Sequence, residues 1–301
     1  MEIRLAQTFG ENQSENMRTH FGDFLSEKEF AEIQSSVAVL QELHNVRYLL
    51  GFVEGNEKDM LDYFQTKTEE WVLKLRQHIY LDFAEINDCL LHTNRLFLNY
   101  LSSMRTFIDH SETYLNRTFG GRDSPELIEF KNMTSVLYDA SFGYSFFWVL
   151  RNYAQHCGLP VGHVGFNWEA EEMQAGVKSV NYEFEVAFDS KNLLNNYKDW
   201  KKHIREALEQ KDKNFPLLPL VFEVTSVIRT FASNLEVILH ERLVEAAKLL
   251  DRYIFKIKEE SGRVFVAYNI ITDDRGKLEN YSSVDLMEDT VKEILSANSR
   301  E

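Results

Sequence analysis

Proline and glycine are scarce in this sequence, four and thirteen among 301 residues. Long helices need few such breaks, so the scarcity points to a mainly α-helical fold. Only two cysteines occur, Cys89 and Cys157, too few for a disulfide framework, and no C-x-x-C pair offers a metal knuckle. A reducing, cytoplasmic location is the expectation. No run approaches the roughly 18 apolar residues of a membrane span. The most apolar stretch, Pro216 to Ile228, is short and carries Glu223. The first residues lack a basic segment followed by an apolar one, so no signal peptide is expected. Positive charge is also in deficit: 33 Lys and Arg against 48 Asp and Glu leave a net charge of −15. That balance argues against a broad nucleic-acid-binding face, though not against a small, locally basic site.

What is present reads as helix over most of the length. Residues 1–25 are polar with no clear period and read as an arm. Ser26 and Glu29 form an S-x-x-E capping box. Behind it Phe30, Ile33, Val37, Leu40, Leu43 and Val46 recur at helical spacing, and Gly51 and Gly55 are expected to close the element. From Asn56 to Gly120 two apolar stripes follow, Met60 to Ile79 and Leu91 to Leu115. One helix of that length would outreach a compact domain, which places a break near Tyr80–Asn87. Gly120 and Gly121 make a turn, and Ser124-Pro125 starts the next helix.

Between Ser141 and Cys157, Phe142, Phe146, Val149, Leu150 and Tyr153 form one apolar face, ended by Gly158 and Pro160. The period then changes. Val180, Tyr182, Phe184, Val186 and Phe188 alternate with polar or small residues, a half-buried strand with Val161–Trp168 as its hairpin partner. Helices return near Leu193. Leu220–Glu260 reads as one long helix, Val264–Ile271 as a strand and Asp285–Ala297 as a closing helix. The expected organisation is an arm (1–25), an up-and-down helical bundle (26–160) and an α+β region (161–301) with a small β-hairpin and further long helices.

The candidate chemistry lies at the end of the 141–157 helix, where Arg151, Asn152 and His156 form R-x4-H with a polar residue after the arginine. Arg is a permanent, planar cation suited to a phosphate gaining charge in its transition state. His moves protons near neutral pH, and a helix C-terminus favours its protonated form. Asn152 and His156 lie four residues apart, so the amide could orient the ring. Arg151 and His156 lie about 140° apart around the helix and do not easily converge within it, and a second subunit supplying the missing partner would bring such a pair together. A structural reading stands beside this one: a helix cap and salt bridge, in which Arg151 caps the helix or pairs with a carboxylate.

Arg105 and His110 repeat the spacing without the polar residue, and Arg105 and Asp109 are candidates to line the same cleft. Tyr153 reads as a core aromatic or a base-stacking support, and Trp148 as a dimer contact or a core residue. His163 lacks companion ligands at useful spacing. Glu169, Glu171 and Glu172 suit a solvated face. Gly120-Gly121 lacks the residues of a phosphate loop, and neither G-x-S-x-G nor H-E-x-x-H occurs. Neither a metal nor a cofactor is expected.

With Arg151, Asn152 and His156 placed late in a helical bundle, residues 56–160 resemble the HEPN superfamily. The resemblance implies a homodimer whose paired motifs cleave RNA without metal, leaving 2′,3′-cyclic phosphate ends. It also implies an effector of a toxin–antitoxin or antiviral system, with a protein antitoxin as a further partner. Two other readings remain: a non-catalytic HEPN-like scaffold or regulatory module, and an unrelated helical-bundle binder. Residues 161–301 carry no resemblance.

Overall fold

The computed structural model describes residues 2–9, 18–172, 178–258, 262–272, 274 and 278–299, excluding the side chains of 167–183. Glu171 and Glu172 therefore lie outside the described side chains, as does Glu169. The protein is mainly helical with small antiparallel sheets. It divides into two compact units, residues 46–235 and residues 1–45 with 236–301. Two long helices, α1 (Glu27–Arg76) and α7 (Leu218–Ile257), have residues in both.

In the 46–235 unit, α1 ends at Arg76 and α2 (Phe83–Thr118) begins after a break at Gln77–Asp82. The break overlaps the expected Tyr80–Asn87 only at residues 80–82, because the Asp82 cap starts α2 at Phe83. Asp82 caps α2 by accepting from the Glu85 backbone N–H, and Glu85 reaches back to the Asp82 N–H to complete a capping box. Lys74 pairs with Glu85 across the turn. Next come α3 (Pro125–Ala140), capped by Ser124, and α4 (Phe142–His156), capped by Ser141. Helices α2, α3 and α4 pack against one another.

β3 (Val161–Glu172) and β4 (Lys178–Asp189) form the hairpin expected from alternation, and β5 (Asn214–Pro216) adds a third strand beside β4. Between them lie the short helices α5 (Ser190–Asn196) and α6 (Lys202–Gln210). The hairpin is fastened to helices. Asn94 of α2 accepts from the Val161 N–H and donates to the Val161 carbonyl, each at 3.0 Å. Phe97 meets Phe188 at 5.5 Å between ring centroids, and Trp71 meets Phe166 at 5.7 Å. These contacts explain why the change of period near residue 160 does not coincide with a division between the units.

Helix α7 supplies polar pins from within its apolar run. Glu223 Oε1 accepts from Ser141 Oγ (2.5 Å) and from the Gly143 N–H (3.1 Å) at the start of α4. The buried Tyr100 hydroxyl donates to the Val221 carbonyl (3.2 Å) and shares a hydrogen bond with Thr225 (2.9 Å).

The other unit corrects the reading of residues 1–25 as an arm. β1 (Ile3–Phe9) and β2 (Arg18–Phe24) are strands, and β1 lies inside a four-stranded antiparallel sheet ordered β2-β1-β6-β7. Here β6 is Arg263–Thr272 and β7 is Leu278–Asp285. Ile3, Leu5, Ala6 and Gln7 are all buried, so β1 has no exposed face to produce an alternating pattern. Phe30 of α1 packs on Tyr268, and His44 bonds Thr290 of α8 (Glu288–Asn298). Asp285 closes β7 instead of opening that helix.

Gly51 and Gly55 do not end α1, which runs through both. A helical glycine costs only about 1 kcal/mol relative to alanine. The buried Val46, Val53 and Met60 on either side hold the helix together. Among the described residues, no helix is long and apolar enough to cross a membrane.

Candidate functional site

The site stands on α4, whose face of Phe146, Val149, Leu150 and Tyr153 is buried and fixes which residues turn outward. At the helix end the Cys157 N–H reaches the Tyr153 carbonyl at 2.8 Å. His156, in the last turn, is exposed and makes no hydrogen bond among the described residues. Arg151 is half-buried, and its Nη1 donates a long 3.4 Å hydrogen bond to Gln155 Oε1. No carboxylate pairs with either among the described residues, unlike the salt bridge of the structural reading.

Asn152 is exposed, with its side chain close to that of Tyr197. Among the described residues it makes no hydrogen bond to the His156 ring, so its amide does not orient that ring in this arrangement. Tyr153 is 1% exposed, edge-on to Tyr197 and stacked on Trp200 with both centroid distances 6.1 Å. Burial pushes its phenol pKa up. Packed this way, Tyr153 offers no face to a base and supports the site only by holding α4.

Arg105 and Asp109 lie on α2, joined by a 3.0 Å bond from Arg105 Nε to Asp109 Oδ2. The Arg105 guanidinium lies 3.6 Å from the centre of the Trp148 ring on α4. Trp148 in turn meets Tyr144 edge-on at 6.0 Å. Burial pushes the Tyr144 phenol up, opposed by the nearby Arg105 charge. The Arg105–Trp148 contact escaped sequence reasoning because its partners sit on different helices. Only the unusual position of Trp148 just off the apolar face signalled it. His110 is exposed on α2.

His163 sits 3.5 Å from Glu185 on the neighbouring strand. Among the described residues no group of three His, Cys, Asp or Glu could hold a metal ion. Comparisons with protein-family models, curated proteins and solved structures returned no match.

Proposed function

We propose that this protein is a HEPN-type, metal-independent endoribonuclease that works as a homodimer. The observation carrying this reading is the end of α4, where His156 is exposed, Arg151 is partly so and neither is neutralised by a carboxylate among the described residues. In a chain of net charge −15, an arginine and a histidine with no carboxylate partner among the described residues, on one short helix, are chemistry available to an anion.

In the proposed reaction the ribose 2′-hydroxyl attacks the adjacent phosphorus and the bond to the 5′-oxygen breaks, closing a cyclic phosphate. Arg151 neutralises the phosphate oxygens as charge builds on them. One His156 accepts the 2′-hydroxyl proton and the second subunit's copy donates a proton to the leaving 5′-oxygen. The angular separation of Arg151 and His156 supports pairing across a dimer. Asn152 sits beside Arg151 as a further polar contact to substrate. No cofactor takes part. An effector role in the cytoplasm, restrained by a protein antitoxin, follows from the same resemblance.

A non-catalytic scaffold is the second reading, favoured by the acidic net charge. Cleavage of single-stranded RNA by wild type and His156→Ala, with EDTA present and product ends identified, separates the two. The expected result is cyclic-phosphate ends from wild type and a rate lower by about 10²–10⁴-fold in the variant. Equal rates would remove His156 from the mechanism, and a strict requirement for magnesium would overturn it.

A further inference from the structure

The polar cluster where α2 meets α4 is built more rigidly than a surface ion pair needs to be. Arg105 lies against the Trp148 indole at 3.6 Å while its Nε is tied to Asp109 at 3.0 Å. A guanidinium confined by a ring face and a carboxylate has lost most of its freedom before any ligand arrives. Its Nε is occupied, but Nη1 and Nη2 make no hydrogen bond among the described residues, and the side chain keeps 29% of its exposure. Those two nitrogens form an end-on fork, a geometry that matches two oxygens of one phosphate. The outer face of the guanidinium is also a plane on which a base can stack.

Position connects this cluster to the motif. Trp148, Arg151 and Asn152 sit at i, i+3 and i+4, neighbours on the surface of α4. Along the axis, about 4.5 Å separates Trp148 from Arg151. We infer that Arg105, laid on Trp148 and held by Asp109, is a second RNA subsite that grips the nucleotide next to the one whose phosphate Arg151 holds. The ligand class is single-stranded RNA, because stacking on the guanidinium needs a base free of its duplex neighbour. The inference rests on the ribonuclease reading but is tested by binding, which needs no cleavage.

The probe is a fluorescein-labelled 2′-O-methyl RNA decamer, which lacks the attacking hydroxyl, with binding followed by anisotropy across a salt series. Trp148→Ala is expected to weaken binding roughly tenfold, and Trp148→Phe to restore most of the loss. Arg105→Gln should weaken binding and reduce the slope of log K against log salt by about 0.7, one single-strand phosphate contact. A packing defect alone would leave that slope unchanged. Thermal melts of each variant establish that it is folded. If folded Arg105→Gln keeps the wild-type affinity and slope, the subsite is overturned, whether or not wild type cleaves ordinary RNA. If wild type binds the decamer in an Arg105-dependent way but cleaves nothing, the subsite stands and the ribonuclease reading falls.

Discussion

Burial separates the two thiols. Cys89 is enclosed at 1% exposure on α2, and loss of hydration pushes its pKa up, so little of it is thiolate at neutral pH. Cys157 stands exposed just past α4. A maleimide added to native protein should therefore modify Cys157 and spare Cys89 until denaturant is present, as mass spectrometry of digested peptides would show. Equal labelling of both would mean that the packing over Cys89 opens readily. The same contrast bears on reading single residues: Arg151 and His156 could be singled out as a candidate site because residue type and helix position are local properties. Tyr153 could be read as a core aromatic, but its packing on Tyr197 and Trp200 could not, since those rings arrive from another part of the chain.

Elements show where local pattern suffices and where it fails. The starts of α1, α2 and α3 carry their caps in adjacent residues, and the box at Ser26–Glu29 and the cap at Ser124-Pro125 were readable before any packing was known. Gly51 and Gly55 misled because a glycine stops a helix only when nothing else holds it. A Cβ added at either would have no atom within 4 Å. Gly51→Ala and Gly55→Ala should each stabilise the protein by about 1 kcal/mol, seen as a raised urea midpoint with unchanged slope. A loss of stability at either would show that the space beside it is filled by another chain.

Gly143 is the opposite case. A Cβ there would lie 2.8 Å from Glu223 Oε2, so Gly143→Ala must displace the carboxylate that caps α4. A loss of roughly 1–3 kcal/mol is expected, with Glu223→Ala similar and the double variant less than additive. Additive losses would mean that the two positions act independently.

Across the whole molecule, the ionisable groups with shifted pKa values predict acid sensitivity. Glu29 is held below the usual carboxylate range by the Ser26 backbone and hydroxyl, and Glu85 by Lys74 and the Asp82 N–H. A lowered folded pKa means stability that is present above the unfolded value, about 4.3, and lost as pH falls through the folded one. His92 is shifted down first by burial and then by Arg95 and Lys67, so its contribution begins to fall below about pH 6.5. Lys74 is raised by Glu85, placing its share below about pH 10.4 and removing it above. Urea midpoints measured against pH should decline on both sides, and Glu85→Gln should make both limbs shallower. An unchanged acid limb in that variant would remove the α2 capping box from the account.

The sheet order has a further consequence for how the protein is made. β1 is complete within the first nine residues, yet one of its two neighbours, β6, begins at Arg263. A ribosome adding about 5–20 residues per second needs roughly 13–50 s to cover that distance. For that interval β1 and β2 can form their hairpin while the other edge of β1, with Ile3, Leu5 and Ala6 along it, has no strand to bond. Nascent chains stalled before β6 should therefore engage chaperones that recognise apolar strands, and release them once residues 263–272 emerge.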